Sequence, residues 1–133
     1  MPNPATPDPT TLRDTIAELM GYTGPRRTLA YIDRLVAQEY HDGAWRNIPD
    51  WPNDLTAAFT LLEQWCKAAP ENGVHEIHMN YEDFDGMRVP GWYCFLSRFT
   101  DKEEQFAVYG REEPLDDLRM AICLAWVEWQ ECK

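Results

Sequence analysis

Residues 92–99 read WYCFLSRF. The run is almost wholly apolar and aromatic, the composition of a strand covered on both faces at the centre of a sheet. On its N-terminal side, VHEIHMNY (74–81) alternates His75, Ile77, Met79 and Tyr81 against Val74, Glu76, His78 and Asn80. That period of two suits a half-buried strand. EDFDGMRVPG (82–91) connects the two, with Asp85-Gly86 as a turn pair. On the C-terminal side, TDKEE (100–104) is a polar turn and QFAVYG (105–110) a third short strand. The order predicts a three-stranded antiparallel meander.

The flanking segments read as helices. After Thr10 and Thr11, either of which offers a capping oxygen, Leu12, Ile16, Leu19 and Met20 share a helical face, predicting a helix over 11–20 ended by Gly21. In PRRTLAYIDRLVAQEY (25–40), Leu29, Ile32, Val36 and Tyr40 form one stripe, so this stretch is also read as a helix. HDGAWRNIPDWPND (41–54) holds Gly43, Pro49 and Pro52 and is read as loop. NDLTAAFTLLEQWCKAA (53–69) lines Leu55, Ala58, Phe59, Leu62, Trp65 and Cys66 along one side, with Asn53 as cap. EEPLDDLRMAICLAWVEWQE (112–131) is the clearest helix, with acidic residues crowding its first turns. The expected fold class is α+β: a three-stranded, or slightly larger, antiparallel sheet packed between helices as a helix–sheet–helix sandwich. The expected organisation is a flexible proline-rich leader over 1–10 and one domain over 11–133.

Composition agrees with that plan. The chain has 133 residues, enough for one domain with a core that needs no metal or disulfide. Twelve basic against 23 acidic side chains give a net charge of −11. This argues against direct nucleic-acid binding and against an anionic membrane surface, since both require clustered cations. No apolar run is long enough to span a bilayer, and MPNPATPDPTT has neither the basic nor the apolar region of a signal peptide. A cytoplasmic location is therefore expected, with Cys66, Cys94, Cys123 and Cys132 as reduced thiols.

Three blocks together resemble a known family. LRDTIAELMGYT resembles the opening helix and G-[WY]-T of the phage ABA-sandwich domain, a phage and prophage family. IPDWPNDLTAAFTLLEQ resembles its middle block, [IL]-P-x-[YW]-x-x-D-L-x-A-A. EEPLDDLRMAICLAWVEW resembles its closing P-x-x-A-I-C-x-A helix, and GWYCFL lies between them as in the family. Residues 25–44 match no part of the pattern. The resemblance implies an α-β-α sandwich encoded by a phage. It implies no activity and carries over no catalytic residue.

Motifs for bond chemistry are sparse. His75 and His78 form HxxH, but three residues apart in a strand they face opposite ways. Glu82, Asp83 and Asp85 with Gly86 fail the EF-hand spacing, because Tyr81 stands where an aspartate is required. Ser97 lies in no GxSxG elbow, and no phosphate-cradling glycine loop exists. Cys94 beside His75 or His78 is the one conceivable nucleophile–base pair. No catalytic residue, metal or cofactor is assigned.

The surface offers more. Residues 1–70 carry a net charge of −3 and residues 71–133 carry −8. Acidic clusters fall at Glu82, Asp83 and Asp85, at Asp101, Glu103 and Glu104, and at Glu112, Glu113, Asp116 and Asp117. Such a face could occupy a protein groove built for a nucleic-acid backbone, or could simply keep the chain soluble. Trp45 and Trp51 flank Arg46 in the expected loop, which is favourable chemistry for a protein interface or for stacking on a nucleobase or other flat ligand, and equally a loop lid on the hydrophobic core. The leading expectation is a phage accessory protein that binds a basic host protein stoichiometrically, for instance an anti-CRISPR-like anti-defence inhibitor. The alternative is a small-ligand or nucleotide-binding module anchored by Arg26, Arg27 and Arg46; an enzyme built on Cys94 ranks below both. Homodimerisation is open, because an exposed sheet edge can pair with its copy.

Overall fold

The computed structural model describes residues 8–69, 73–82, 91–100, 106–111 and 114–132. Helix α1 spans Pro9–Leu19. Its cap is Asp8, whose carboxylate accepts from the Thr11 backbone N–H at 2.9 Å, and Pro9 sits where a helix needs no N–H. Pro9 and Thr10 thus belong to the helix and not to a leader. Residues 1–7, the rest of the expected leader, lie outside the described residues.

The helix expected over 25–40 is absent, and so is much of the loop after it. In their place stand β1 (Arg26–Ala30), β2 (Leu35–His41) and β3 (Ala44–Asn47), an antiparallel sheet in the order β1-β2-β3. The reason is turn chemistry. His41 pairs with Ala44, leaving Asp42 and Gly43 as a two-residue turn with φ of 50° and 84°. Positive φ at both positions is the geometry whose twist matches a hairpin, and Gly43 adopts it without strain. A second tight turn, closed by Tyr31 N–H to the Arg34 carbonyl at 2.8 Å, joins β1 to β2. Leu29 and Val36, neighbours on the supposed helical stripe, are instead cross-strand partners.

Helix α2 spans Leu55–Lys67 and is capped by Asp54, which accepts from the N–H groups of Thr56 and Ala57. Asn53 does not cap it; its amide donates to Asp50. Ala58, Leu61, Leu62 and Trp65 are buried, whereas Leu55, Phe59 and Cys66, expected on the same side, are exposed.

The meander forms as read. Strands β4 (Gly73–Glu82), β5 (Gly91–Thr100) and β6 (Phe106–Tyr109) are antiparallel in the order β4-β5-β6, with β5 central. Tyr93, Cys94, Leu96 and Ser97 are all buried, so the middle of β5 is covered on both faces. The expected turns at Asp85-Gly86 and Asp101–Glu104 lie outside the described residues.

Helix α3 spans Leu118–Glu131, starting six residues later than expected. Asp117 caps it, and Leu115 stays extended to exchange backbone bonds with Trp92 at 2.7 and 3.0 Å. Every residue from Met120 to Val127 is buried, together with Trp129. A helix apolar on all sides is the interior element of a domain. Here α3 packs on α1, α2, β5 and β6, and its side chains join Leu12, Ile16, Trp51, Trp65 and Leu96 in one core. The chain is therefore α+β, with three helices and two three-stranded antiparallel sheets among the described residues. Among those residues no helix is long and apolar enough to cross a membrane.

Candidate binding surface

Side chains alternate along β2, so the first sheet has two unlike faces. Ala37 and Glu39 point to the core, and Glu39 is only 1% exposed. Its carboxylate accepts from the Arg46 guanidinium at 3.3 and 3.5 Å, and His41 stands 3.7 Å away. Arg46 lies in turn over the Tyr22 ring at 4.3 Å, and Tyr22 meets Trp51 edge-on. Gly24 makes room for this cluster. A Cβ there would sit 2.3 Å from the Tyr40 carbonyl and 3.0 Å from a Glu39 carboxylate oxygen. The cluster ties the sheet to the body while leaving the Arg46 side chain partly exposed.

The opposite face holds Arg27, Gln38, Asn47, Tyr40 and Trp45. Arg27 donates to the Gln38 side-chain oxygen at 2.9 Å, and Gln38 donates to Asn47 at 2.6 Å, a polar ladder across three strands. The Arg27 guanidinium lies 4.0 Å above the Trp45 ring, and Tyr40 packs edge-on against the same ring at 5.4 Å. Tyr40 and Trp45 stay exposed. At the β1–β2 turn, Ile32 is fully exposed, flanked by exposed Tyr31 and Leu35. At the hairpin tip Ile32 buries nothing within the chain. An ordered, partly dry aromatic–arginine cluster has its entropy already lost before contact, which favours binding.

The residues expected at a binding surface scatter. Trp45 is on the outer face. Arg46, next to it in sequence, faces inward to Glu39. Trp51 is 1% exposed and lies in the core, so it presents no surface. Asp116 is exposed. Asp117 is half-buried and paired with Arg119, whose hydrogen bonds hold its carboxyl below the usual range. The Glu82 side chain and Asp83, Asp85, Glu112 and Glu113 lie outside the described residues, as do Asp101, Glu103 and Glu104. Arg26, Arg27 and Arg46 do not converge as a phosphate anchor. Arg26 donates to Asp14 and the Tyr22 carbonyl, Arg46 to Glu39, and Arg27 lies on the other face. An open cleft of about 530 Å³ does contain cations, Arg13 and Arg34, but Asp50 and Asp54 line it too.

The imagined Cys94–histidine pair does not form. Cys94 is paired with Met79, and His78 with Phe95 on the opposite face. Burial pushes the Cys94 thiol up to about 12. His75 is stacked 3.9 Å from Trp65, with Nδ1 at 2.8 Å from the Trp65 carbonyl. Among the described residues, no three His, Cys, Asp or Glu side chains gather to hold a metal ion.

Sequence reasoning missed Ile32, Gln38 and Asn47, and it assigned Arg27 to a different task. Asp42-Gly43 was the available signal, since a hairpin there pairs Gln38 with Asn47 and Tyr40 with Trp45. Comparison with protein-family models, with curated proteins and with solved structures finds no match to this chain.

Proposed function

We propose that this chain acts stoichiometrically, as a small accessory protein of the phage type that its sequence resembles, by docking onto a host protein with a basic surface. One concrete form is an anti-defence, anti-CRISPR-like inhibitor that covers a nucleic-acid-binding site. The observation that carries this reading is the outward cluster of Arg27, Tyr40 and Trp45, with the bare Ile32 at the turn on the other end of the same sheet. Aromatic and arginine side chains dominate binding energy when a partner excludes water from them. The net charge of −11 supplies the long-range attraction toward a basic partner, while the aromatic–arginine cluster fixes the pose.

The test is affinity capture from host lysate with wild type, Ile32→Asp and Trp45→Ala side by side, followed by a salt titration of the captured complex. A basic protein retained by wild type, lost with both variants and weakened by salt is the expected result. Retention unaffected by either substitution overturns the reading. The small-ligand alternative rests on the cleft between Arg13, Arg34, Asp50 and Asp54. A rise in melting temperature with nucleotides, abolished by Arg13→Ala, would favour it over protein docking.

A further inference from the structure

We propose that two copies of this chain pair along β4, antiparallel about a two-fold axis through Ile77, joining their second sheets into one six-stranded sheet. Strand β4 runs ten residues and, among the described residues, is hydrogen-bonded to a neighbouring strand only on its β5 side. An edge of that length is a template for another strand, and natural edges are blunted with prolines, bulges, charged side chains (lysine above all) or a covering helix or loop. GVHEIHMNYE contains no proline, and its ten pairings to β5 are uninterrupted.

The polar side chains on β4 select one register. Glu76 and His78 are exposed on the same face, with His78 Nε2 3.1 Å from a Glu76 carboxylate oxygen. Antiparallel pairing about Ile77 sets Glu76 opposite His78 of the second copy, and His78 opposite its Glu76. Centring on residue 76 would set glutamate against glutamate, and centring on residue 78 would set histidine against histidine. An imidazole N–H can donate to a carboxylate directly across a strand pair, whereas two carboxylates directly opposite repel, so the two-fold at Ile77 is favoured over the glutamate-on-glutamate register. The Glu76 carbonyl also accepts from the Trp65 indole at 3.1 Å, and a carbonyl has a second lone pair for a ladder bond.

The other face of the edge supplies apolar area. A groove of about 500 Å³ runs between α2 and β4, walled by Phe59, Leu62, Ile77 and Met79. Phe59 and Met79 are exposed in the single chain. In the proposed register, Ile77 meets Ile77 of the second copy, and Met79 meets its His75, so the mouth of the groove closes. This pairing uses a different face from the Trp45 surface and does not depend on it.

The experiment is sedimentation equilibrium of the purified full chain from micromolar to millimolar concentration, with circular dichroism to confirm folding. Wild type is expected to dimerise. His78→Glu is expected to raise the dissociation constant roughly tenfold or more, since it opposes Glu76 twice. The exchange Glu76→His with His78→Glu restores the complementarity and should restore the dimer. Ile77→Cys, with Cys66 and Cys132 changed to serine, should form a disulfide-linked dimer under mild oxidation, and Val74→Cys in the same background should not. A wild type that stays monomeric overturns the proposal, and so does a dimer indifferent to His78→Glu or one that the exchange fails to rescue.

Discussion

The guanidinium of Arg27 on β1 rests 4.0 Å above the ring of Trp45 on β3, although neither strand is hydrogen-bonded to the other. The contact spans β2 diagonally, since the register partner of Arg27 there is Gln38 and that of Trp45 is Tyr40. An exposed cation–π pair contributes about 0.5–1 kcal/mol to stability. Trp45→Ala should therefore cost the fold about 1 kcal/mol, read from a urea midpoint. At a binding hot spot, the same truncation costs about 2 kcal/mol or more of affinity. A Kd that changes no more than the stability does would show that the tryptophan is scaffolding alone.

Glu39 and Arg46 should respond unequally. Arg46→Ala strands a buried carboxylate, and breaking such a pair costs about 3 kcal/mol when both partners are buried. The partial exposure of Arg46 lowers that to about 2 kcal/mol. Glu39→Gln removes the charge itself and keeps a polar group against Arg46, so about 1 kcal/mol is expected. Chemical denaturation of the two variants decides the order.

Asp117 gives the fold an acid-sensitive component. Its carboxyl sits below the ordinary 3.8, chiefly because Arg119 donates to it and secondarily through the backbone bonds that cap α3. A depressed folded value means the stabilisation is complete above the unfolded pKa and is lost as pH falls through the folded one. Asp117→Asn, which can still cap, should melt below wild type at neutral pH. That gap should close below pH ~3.8. A gap that persists in acid would assign the loss to packing.

The thiols should divide into two classes. Cys66 and Cys132 are exposed, while Cys94 and Cys123 are buried with their ionisation pushed up by desolvation. Alkylation at pH 8 should therefore modify two cysteines quickly and the other two only after denaturant is added. Peptide mapping identifies which.

What could be read from sequence followed the length scale of the signal. WYCFLSRF and its alternating neighbour carry their pairing in their own pattern, and the meander is present with β5 central. Helices α1 and α2 were legible from apolar period, although Asp8 and Asp54 cap them in place of their neighbours. Residues 25–47 were not, because Leu29 and Val36 satisfy a helical stripe and a cross-strand pair equally well. Only Asp42-Gly43 breaks that tie, and misreading it concealed the face that holds Arg27 and Trp45. Trp51 illustrates a second limit: a tryptophan among prolines reads as a loop residue, yet Tyr22 and the core enclose it.

The placement of α3 has a consequence for biosynthesis. The helix on which α1, α2, β5 and β6 pack comes, among the described residues, after the strands and the other two helices in chain order. Until residues 118–131 leave the ribosome, the apolar sides of α1, α2 and the meander have no common surface to meet. Burial of the shared core thus waits on the last segment of the described chain to be synthesised, and the apolar surfaces that α3 covers are the ones exposed until then.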